Sequence, residues 1–268
     1  MTVVWFGDER CLDVGVAGGK GASLARMTAE GLPVPPGFAV ASDALEDAVD
    51  AERLRELARG GDHVSAQALV RRTEAPEEVL PAYDELGGLV AVRSSACAED
   101  SEAASFAGQQ ETFLNVSGAA EVARRVVECW ASFFSERALF YRARKGSLDD
   151  LRMAVVVQRM VEPDKAGVLF TCDAVQRRRD QMILEAVAGL GEQVVSGKVT
   201  PDHYVVDRGG RVKREATPNG GVLDAAEIER LAALGRELEE RFGAPQDIEW
   251  ALAGGDVYLL QSRPVTTL

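Results

Sequence analysis

The chain has 268 residues, 46% of them hydrophobic, and its 43 acidic against 30 basic residues give a formal net charge of −13. That length and apolar content fit one large domain or two small ones with a true core, and they exclude a disordered acidic tail. The acidic balance argues against a role built on a nucleic-acid backbone, although local cations can still hold a small anion. No apolar run approaches the ~18 residues of a membrane helix, and the charged start does not read as a signal peptide. The expectation is a soluble, cytoplasmic α/β-type protein. Its four cysteines, at 11, 97, 129 and 172, are spread out with no CxxC pair, and with only two histidines they read as reduced thiols rather than a zinc site.

In chain order, the glycine-rich run from Val14 to Gly21 leads into a short helical pattern through Leu24 and Met27. Pro33, Pro35, Pro36 and Gly37 then feed a strand from Phe38 to Ala41, and Ser42 is placed to cap a helix over residues 43 to 59. Residues 62 to 86 are weakly patterned helix, 89 to 93 a buried strand, and 94 to 108 a polar loop. Apolar residues at helical spacing, including Val122, Val126, Trp130, Phe133 and Phe140, predict one helix over 119 to 144. Met153 to Val161 and Gly167 to Thr171 read as two strands of a hairpin, followed by strands at 181 to 186 and 203 to 207. Asp224 and Glu227 form a capping-box signature for a helix over 225 to 241. Strands at 247 to 252 and 256 to 262, joined through Gly254-Gly255, close the chain, and the nearest candidate boundary gives two parts, 1–148 and 149–268.

Three motifs offer chemistry. Gly18-Gly19-Lys20-Gly21 can set backbone amides and an ammonium against a phosphate, but it is not a Walker A loop, and a glycine turn before a helix is often only a turn. The chain has just 5 Lys beside 25 Arg, which draws attention to Lys20. Arg93 ends an apolar strand in Val92-Arg93-Ser94-Ser95, where a guanidinium suits phosphate; a pair with Glu99 or Asp100 is the plainer alternative. The loop from Ala188 to Glu192, with Gly189 and Gly191, and the later Ser196-Gly197-Lys198 read equally as a phosphate loop or a surface loop. In the last hairpin Glu249 falls opposite Leu260 or Gln261. If opposite Gln261, a carboxylate and an amide oxygen stand together as hard ligands for Mg²⁺, with Arg263 facing the same space; a solvated face with an Arg–Glu pair is the alternative. His63 and His203 have no partner that marks a nucleophile.

The order of the blocks is more specific than any one of them. Gly18-Gly19-Lys20-Gly21-Ala22-Ser23-Leu24 precedes Gly31-Leu32-Pro33-Val34-Pro35-Pro36-Gly37-Phe38. Val92-Arg93-Ser94-Ser95, Ala98-Glu99-Asp100 and the run from Ser105 to Val116 follow, and then Val157-Gln158-Arg159-Met160-Val161. Gly167-Val168-Leu169-Phe170-Thr171, Gly189-Leu190-Gly191-Glu192, Gln246-Asp247-Ile248-Glu249-Trp250 and Gln261-Ser262-Arg263-Pro264 complete the series. Across nearly its whole length the chain resembles the N-terminal ATP-binding domain of phosphoenolpyruvate synthase, pyruvate phosphate dikinase and rifampin phosphotransferase. The resemblance implies an α/β (α+β), ATP-grasp-like fold of two lobes with ATP held between them, and ATP and Mg²⁺ as cofactors. It implies that Lys20 and Arg93 bind phosphates, that Arg263 reaches the transferring one, and that Glu249 and Gln261 hold Mg²⁺. Gln158, Met160 and Val161 would line the adenine pocket, and Thr112, Gly189, Gly191 and Glu192 would close over the triphosphate.

The departures from that family are informative. Its phosphate-accepting histidine, in a Thr-Ser-His motif after glycines on a swivelling domain, is absent, as is the domain that finally takes the phosphate. The segment between His203 and Asp224 is short for the family, and Ala174 stands where a proline is usual. The expected function is therefore an ATP-dependent phosphotransferase component that phosphorylates a histidine carrier on another chain. The alternatives are a kinase acting directly on a small molecule, a non-catalytic nucleotide-binding module, and a piece of a longer enzyme. No nucleic-acid or membrane partner is expected.

Overall fold

The computed structural model describes residues 2–97, 111–191 and 199–265. Glu99, Asp100, Glu192 and Lys198, each named above, lie outside the described residues. The chain divides into two compact units, Met1–Gly31 with Pro36–Met160, and Leu32–Pro35 with Val161–Leu268. The division after Met160 puts the strand Met153–Arg159 in the first unit.

In the first unit β1 (Val3–Trp5) and a 3₁₀ turn lead into α1 (Val14–Ala29), β2 (Gly37–Val40), α2 (Ala44–Ala48), α3 (Ala51–Arg59), α4 (His63–Val70) and α5 (Val79–Leu86). Then come β3 (Val90–Ala96), β4 (Thr112–Val116), α6 (Ala119–Ser132), α7 (Glu136–Lys145) and β5 (Met153–Arg159). The strands form an antiparallel sheet in the order β1-β2-β5-β3-β4. Strand alternation gives the sheet two different faces. Phe38, Val40, Val90, Val92, Val155 and Val157 turn to one side and join Leu54, Val126 and Trp130 of the helices in the main core. The side of Ala39, Ala91, Arg93, Val156 and Gln158 is covered by α1, where a Cβ added at Gly21 would stand 3.6 Å from both Ala39 and Val156 side chains. The polar residues of interest are thus carried on the strands under α1, away from the main core.

Two expected long helices are each broken by a cap. Asp50 accepts from Arg53 N and starts α3 afresh, dividing the helix expected over 43 to 59; Ser42 instead donates to Gly15 O. Ser135 accepts from Ala138 N and starts α7, dividing the helix expected over 119 to 144. The second break is held by Arg142, only 2% exposed, which lies 3.8 Å over the Phe133 ring and donates to the carbonyls of Phe133, Ser147, Leu148 and Asp150. Burial pulls the Arg142 pKa down to about 10.

In the second unit β6 (Lys165–Phe170), β7 (Gln181–Ala188), β8 (Asp202–Asp207), β9 (Val212–Ala216), β10 (Gln246–Ala253) and β11 (Asp256–Pro264) form an antiparallel sheet in the order β11-β10-β6-β7-β8-β9. α8 (Ala225–Phe242) carries the expected capping box, with Asp224 and Glu227 each accepting the other's backbone N–H. It packs on the face of Leu169, where Gly235 leaves so little room that a Cβ would stand 2.7 Å from Leu169. Ile248 and Trp250 pair with Leu169 and Gly167 and share that covered face. The hairpin expected between 153–161 and 167–171 does not form: β5 pairs with β2 and β3, and β6 pairs with β10 and β7. Both segments are mostly apolar and buried, and such runs carry no mark of which strand they pair with.

The four cysteines are unpaired thiols, and burial lifts Cys11 to about 12, which keeps it protonated. Trp130 is fully buried and donates its indole N–H to Met153 O at 3.1 Å, joining α6 to the sheet. Trp130→Ala is expected to lower unfolding stability by about 3–5 kcal/mol in urea titrations, and a loss below about 1 kcal/mol would contradict this packing.

Candidate functional site

The first unit gathers one set of polar groups where α1 meets β3. Lys20 and Arg93 are each only 8% exposed, an unusual burial for cations. Lys20 Nζ donates to Ser94 O at 3.0 Å, so the ammonium is tied to β3. Arg93 pairs across the sheet with Thr112 on β4 and with Val156 on β5. Directly opposed residues face the same way, so Thr112 and Arg93 share a face, and Gln158, opposite Ala91, shares it too. Lys20, Arg93, Thr112 and Gln158 thus come together on one side of this sheet. Met160 N–H donates to Leu89 O at 2.8 Å at the end of this unit, and Val161 opens the next.

In the second unit the closing hairpin turns at Gly254 and Gly255, whose φ values of +57° and +89° suit a two-residue turn. From this turn the pairs run regularly as far as Trp250 with Leu259. A bulge then shifts the register, so that Glu249 meets Gln261 and Asp247 meets Arg263. Leu260 is the extra residue. If the same residues paired without the bulge, Glu249 would face Leu260, and Gln261 and Arg263 would turn to the face that α8 covers. The arrangement supplies a carboxylate and an amide oxygen at one register position, two hard donors of the kind Mg²⁺ takes. Among the described residues no group of three His, Cys, Asp or Glu side chains could hold a metal, so this pair would leave most positions on an ion to phosphate and water.

Arg263 Nε lies 2.8 Å from Asp247 Oδ2, with the arginine side chain 57% exposed and the aspartate 14%. The guanidinium is therefore oriented by a buried carboxylate while it stays accessible. Burial raises the Asp247 pKa; Arg263 opposes that rise, while Glu249 and Glu185 add to it. The sequence alone sets Asp247 on one face with Glu249 but gives it no role, and it does not single out Glu185. Alternation along the strand puts Asp247 with Glu249, a usable signal. Glu185 is visible only from the sheet order, since the row Gln261, Glu249, Val168, Glu185, His203 crosses five strands. His203 Nδ1 lies 3.5 Å from Glu185 Oε1, at the end of that row. Gly189, at φ +75°, donates to Asp164 O, and a Cβ at Gly191 would stand 3.2 Å from Ala166.

Two stretches of the chain, residues 14–217 and 208–268, match the family model described as pyruvate phosphate dikinase, AMP/ATP-binding domain. The chain belongs to that family. It is 43% identical to a probable phosphoenolpyruvate synthase of Methanothermobacter thermautotrophicus, over 96% of this chain and 45% of that protein. It is 42% identical to a rifampicin phosphotransferase of Streptomyces sviceus, over 95% of this chain and 35% of that protein. The chain thus spans less than half the length of these curated relatives. The first of these alignments runs over 312 positions against 268 residues, so the relative carries residues this chain lacks. The two stretches of the family match overlap at 208–217, which takes in the β8–β9 turn and β9, inside the segment read as short. Among solved structures, D-alanyl-alanine synthetase A from Vibrio cholerae is similar at a TM-score of 0.40 and 13% identity, over 96% of this chain and 57% of that one, too distant to bear on function.

The raised Asp247 carboxyl gives a pH test. The folded state holds this proton more tightly than the unfolded chain does, so stability falls as pH rises from the unfolded value through the raised one and then levels. Arg263→Ala removes the opposing cation and raises Asp247 further. Its stability deficit in urea is expected to grow as pH rises above the ordinary carboxylate range, and a deficit independent of pH would contradict the pairing.

Proposed function

We propose that the chain binds Mg²⁺ and ATP and passes a phosphoryl group to a histidine on a separate carrier domain or protein. The observation that carries the reading is the bulged register that aligns Glu249 with Gln261 and Asp247 with Arg263, in a chain of an AMP/ATP-binding family. In the first unit Lys20, Arg93 and the Thr112 hydroxyl bind phosphate oxygens, and the segment from Gln158 to Val161 contacts the base. In the second unit Glu249 and Gln261 hold the metal and Arg263 meets the phosphoryl group in transfer. Gly189, Gly191 and Glu192 belong to the loop over the triphosphate.

Such a transfer breaks a phosphoanhydride bond and forms a phosphorus–nitrogen bond to the acceptor imidazole. It asks the protein mainly for positioning and for neutralisation of spreading negative charge. Arg263 supplies a planar cation that can take two phosphoryl oxygens at once, and Asp247 holds it in orientation. Lys20 and Arg93, set in a buried environment, act on phosphates in a medium where charge counts for more than in water. Magnesium, when bound, adds charge neutralisation and fixes the geometry of the triphosphate. Among the described residues no helix is long and apolar enough to cross a membrane.

The test supplies the chain with radiolabelled ATP, Mg²⁺ and a candidate carrier domain bearing a Thr-Ser-His motif after glycines. Label on the carrier that is stable to base and lost in acid is the expected result. Arg263→Ala is expected to lower the transfer rate about 10²–10³-fold with little change in ATP affinity. Label on a small molecule with no second protein present, or an unchanged rate in Arg263→Ala, would contradict the reading.

A further inference from the structure

Ser95 is fully buried and sits at the one interruption of α1. At Gly18 the backbone turns to φ +68° and ψ 174°, so the helix stops and a second segment starts at once. A new helix start leaves amides without partners, and a stopped helix leaves carbonyls. The Ser95 hydroxyl answers both: it accepts from Lys20 N at 3.1 Å and Gly21 N at 3.3 Å, and donates to Ala17 O at 2.9 Å. One donor and two acceptor positions are all a serine hydroxyl has. The approach is close enough that a Cβ at Gly18 would stand 2.2 Å from Ser95 O. One residue back, Ser94 O takes the Lys20 ammonium. Two residues back on the same face of the strand is Arg93.

We propose that Ser95 is a positioning residue for Lys20. It caps the broken helix from a different strand, and so fixes the lysine against the strand that carries Arg93. The inference rests on the reading that Lys20 binds phosphate. A change at Ser95 then acts on phosphate binding through Lys20 and leaves the base and ribose alone.

The test is a double-mutant cycle on the full chain, read by calorimetric binding of ATP with Mg²⁺ and of adenosine. Ser95→Ala is expected to weaken ATP binding about tenfold, the scale of one lost charge-assisted hydrogen bond, without changing adenosine binding. Ser95→Thr, which keeps the hydroxyl, is expected to stay within about twofold of the parent. The double variant Lys20→Ala with Ser95→Ala is expected to bind ATP as weakly as Lys20→Ala alone. Tyr83→Phe removes another buried hydroxyl of the same unit, one that donates to Gly88 O and accepts from Gly118 N, and is expected to leave ATP binding unchanged. Should Ser95→Ala not fold, Ser95→Cys gives the same comparison with weaker hydrogen bonds. Additive losses in the double variant, equal losses of ATP and adenosine, or failure of threonine to restore binding would overturn the proposal. If Lys20→Ala weakens ATP binding and Ser95→Ala does not, Ser95 alone is refuted. If Lys20→Ala leaves ATP binding intact, the phosphate role of Lys20 falls and this inference falls with it.

Discussion

A single inserted residue decides which face of the second sheet carries chemistry. Strand side chains alternate, so a shift of one position exchanges the two faces completely. Leu260 supplies that shift between the pairs Trp250–Leu259 and Glu249–Gln261. On the turn side of the bulge, Leu259 and Trp250 are buried toward α8. Beyond it, Gln261 and Arg263 are aligned with Glu249 and Asp247 on the other face. The rest of the unit keeps this arrangement in place: α8 covers one face through Gly235 and Leu169, and β6 and β7 extend the opposite face as far as Glu185.

The first unit uses an interruption of the other kind of regular structure. There a helix breaks at Gly18, and a serine from β3 satisfies the groups that the break exposes. The break brings Lys20 to the strand of Arg93, and the Ser95 hydroxyl meets two of the amides it exposes, each of which would cost about 1–3 kcal/mol if buried without a partner. Both polar clusters thus arise where a regular element is disrupted at one residue and repaired by specific partners.

Local signals in the sequence were sound where the physics is local. The Asp224–Glu227 capping box and the Gly254-Gly255 turn could both be read from residue type and spacing. The hairpin register could be narrowed only to two choices, because nothing in the composition of Leu259-Leu260-Gln261 marks which residue bulges. Helices were overextended at Asp50 and Ser135, where apolar spacing continues through a break that capping side chains create. Non-local pairing was misread for β5 and β6, since buried apolar strands look alike. Glu185 escaped for the same reason, its relation to Glu249 being set by strand order and not by distance along the chain.

The central claim is that the bulged hairpin presents Glu249 and Gln261 to a divalent cation that accompanies the nucleotide. Paramagnetic Mn²⁺ in place of Mg²⁺ tests it directly, through the side-chain amide resonances of isotope-labelled glutamines. With ATP present, rising substoichiometric Mn²⁺ should broaden the Gln261 side-chain amide before that of Gln246, which lies three residues along the strand from Glu249. A Gln261 amide that stays sharp while ATP and Mn²⁺ are bound would contradict the account.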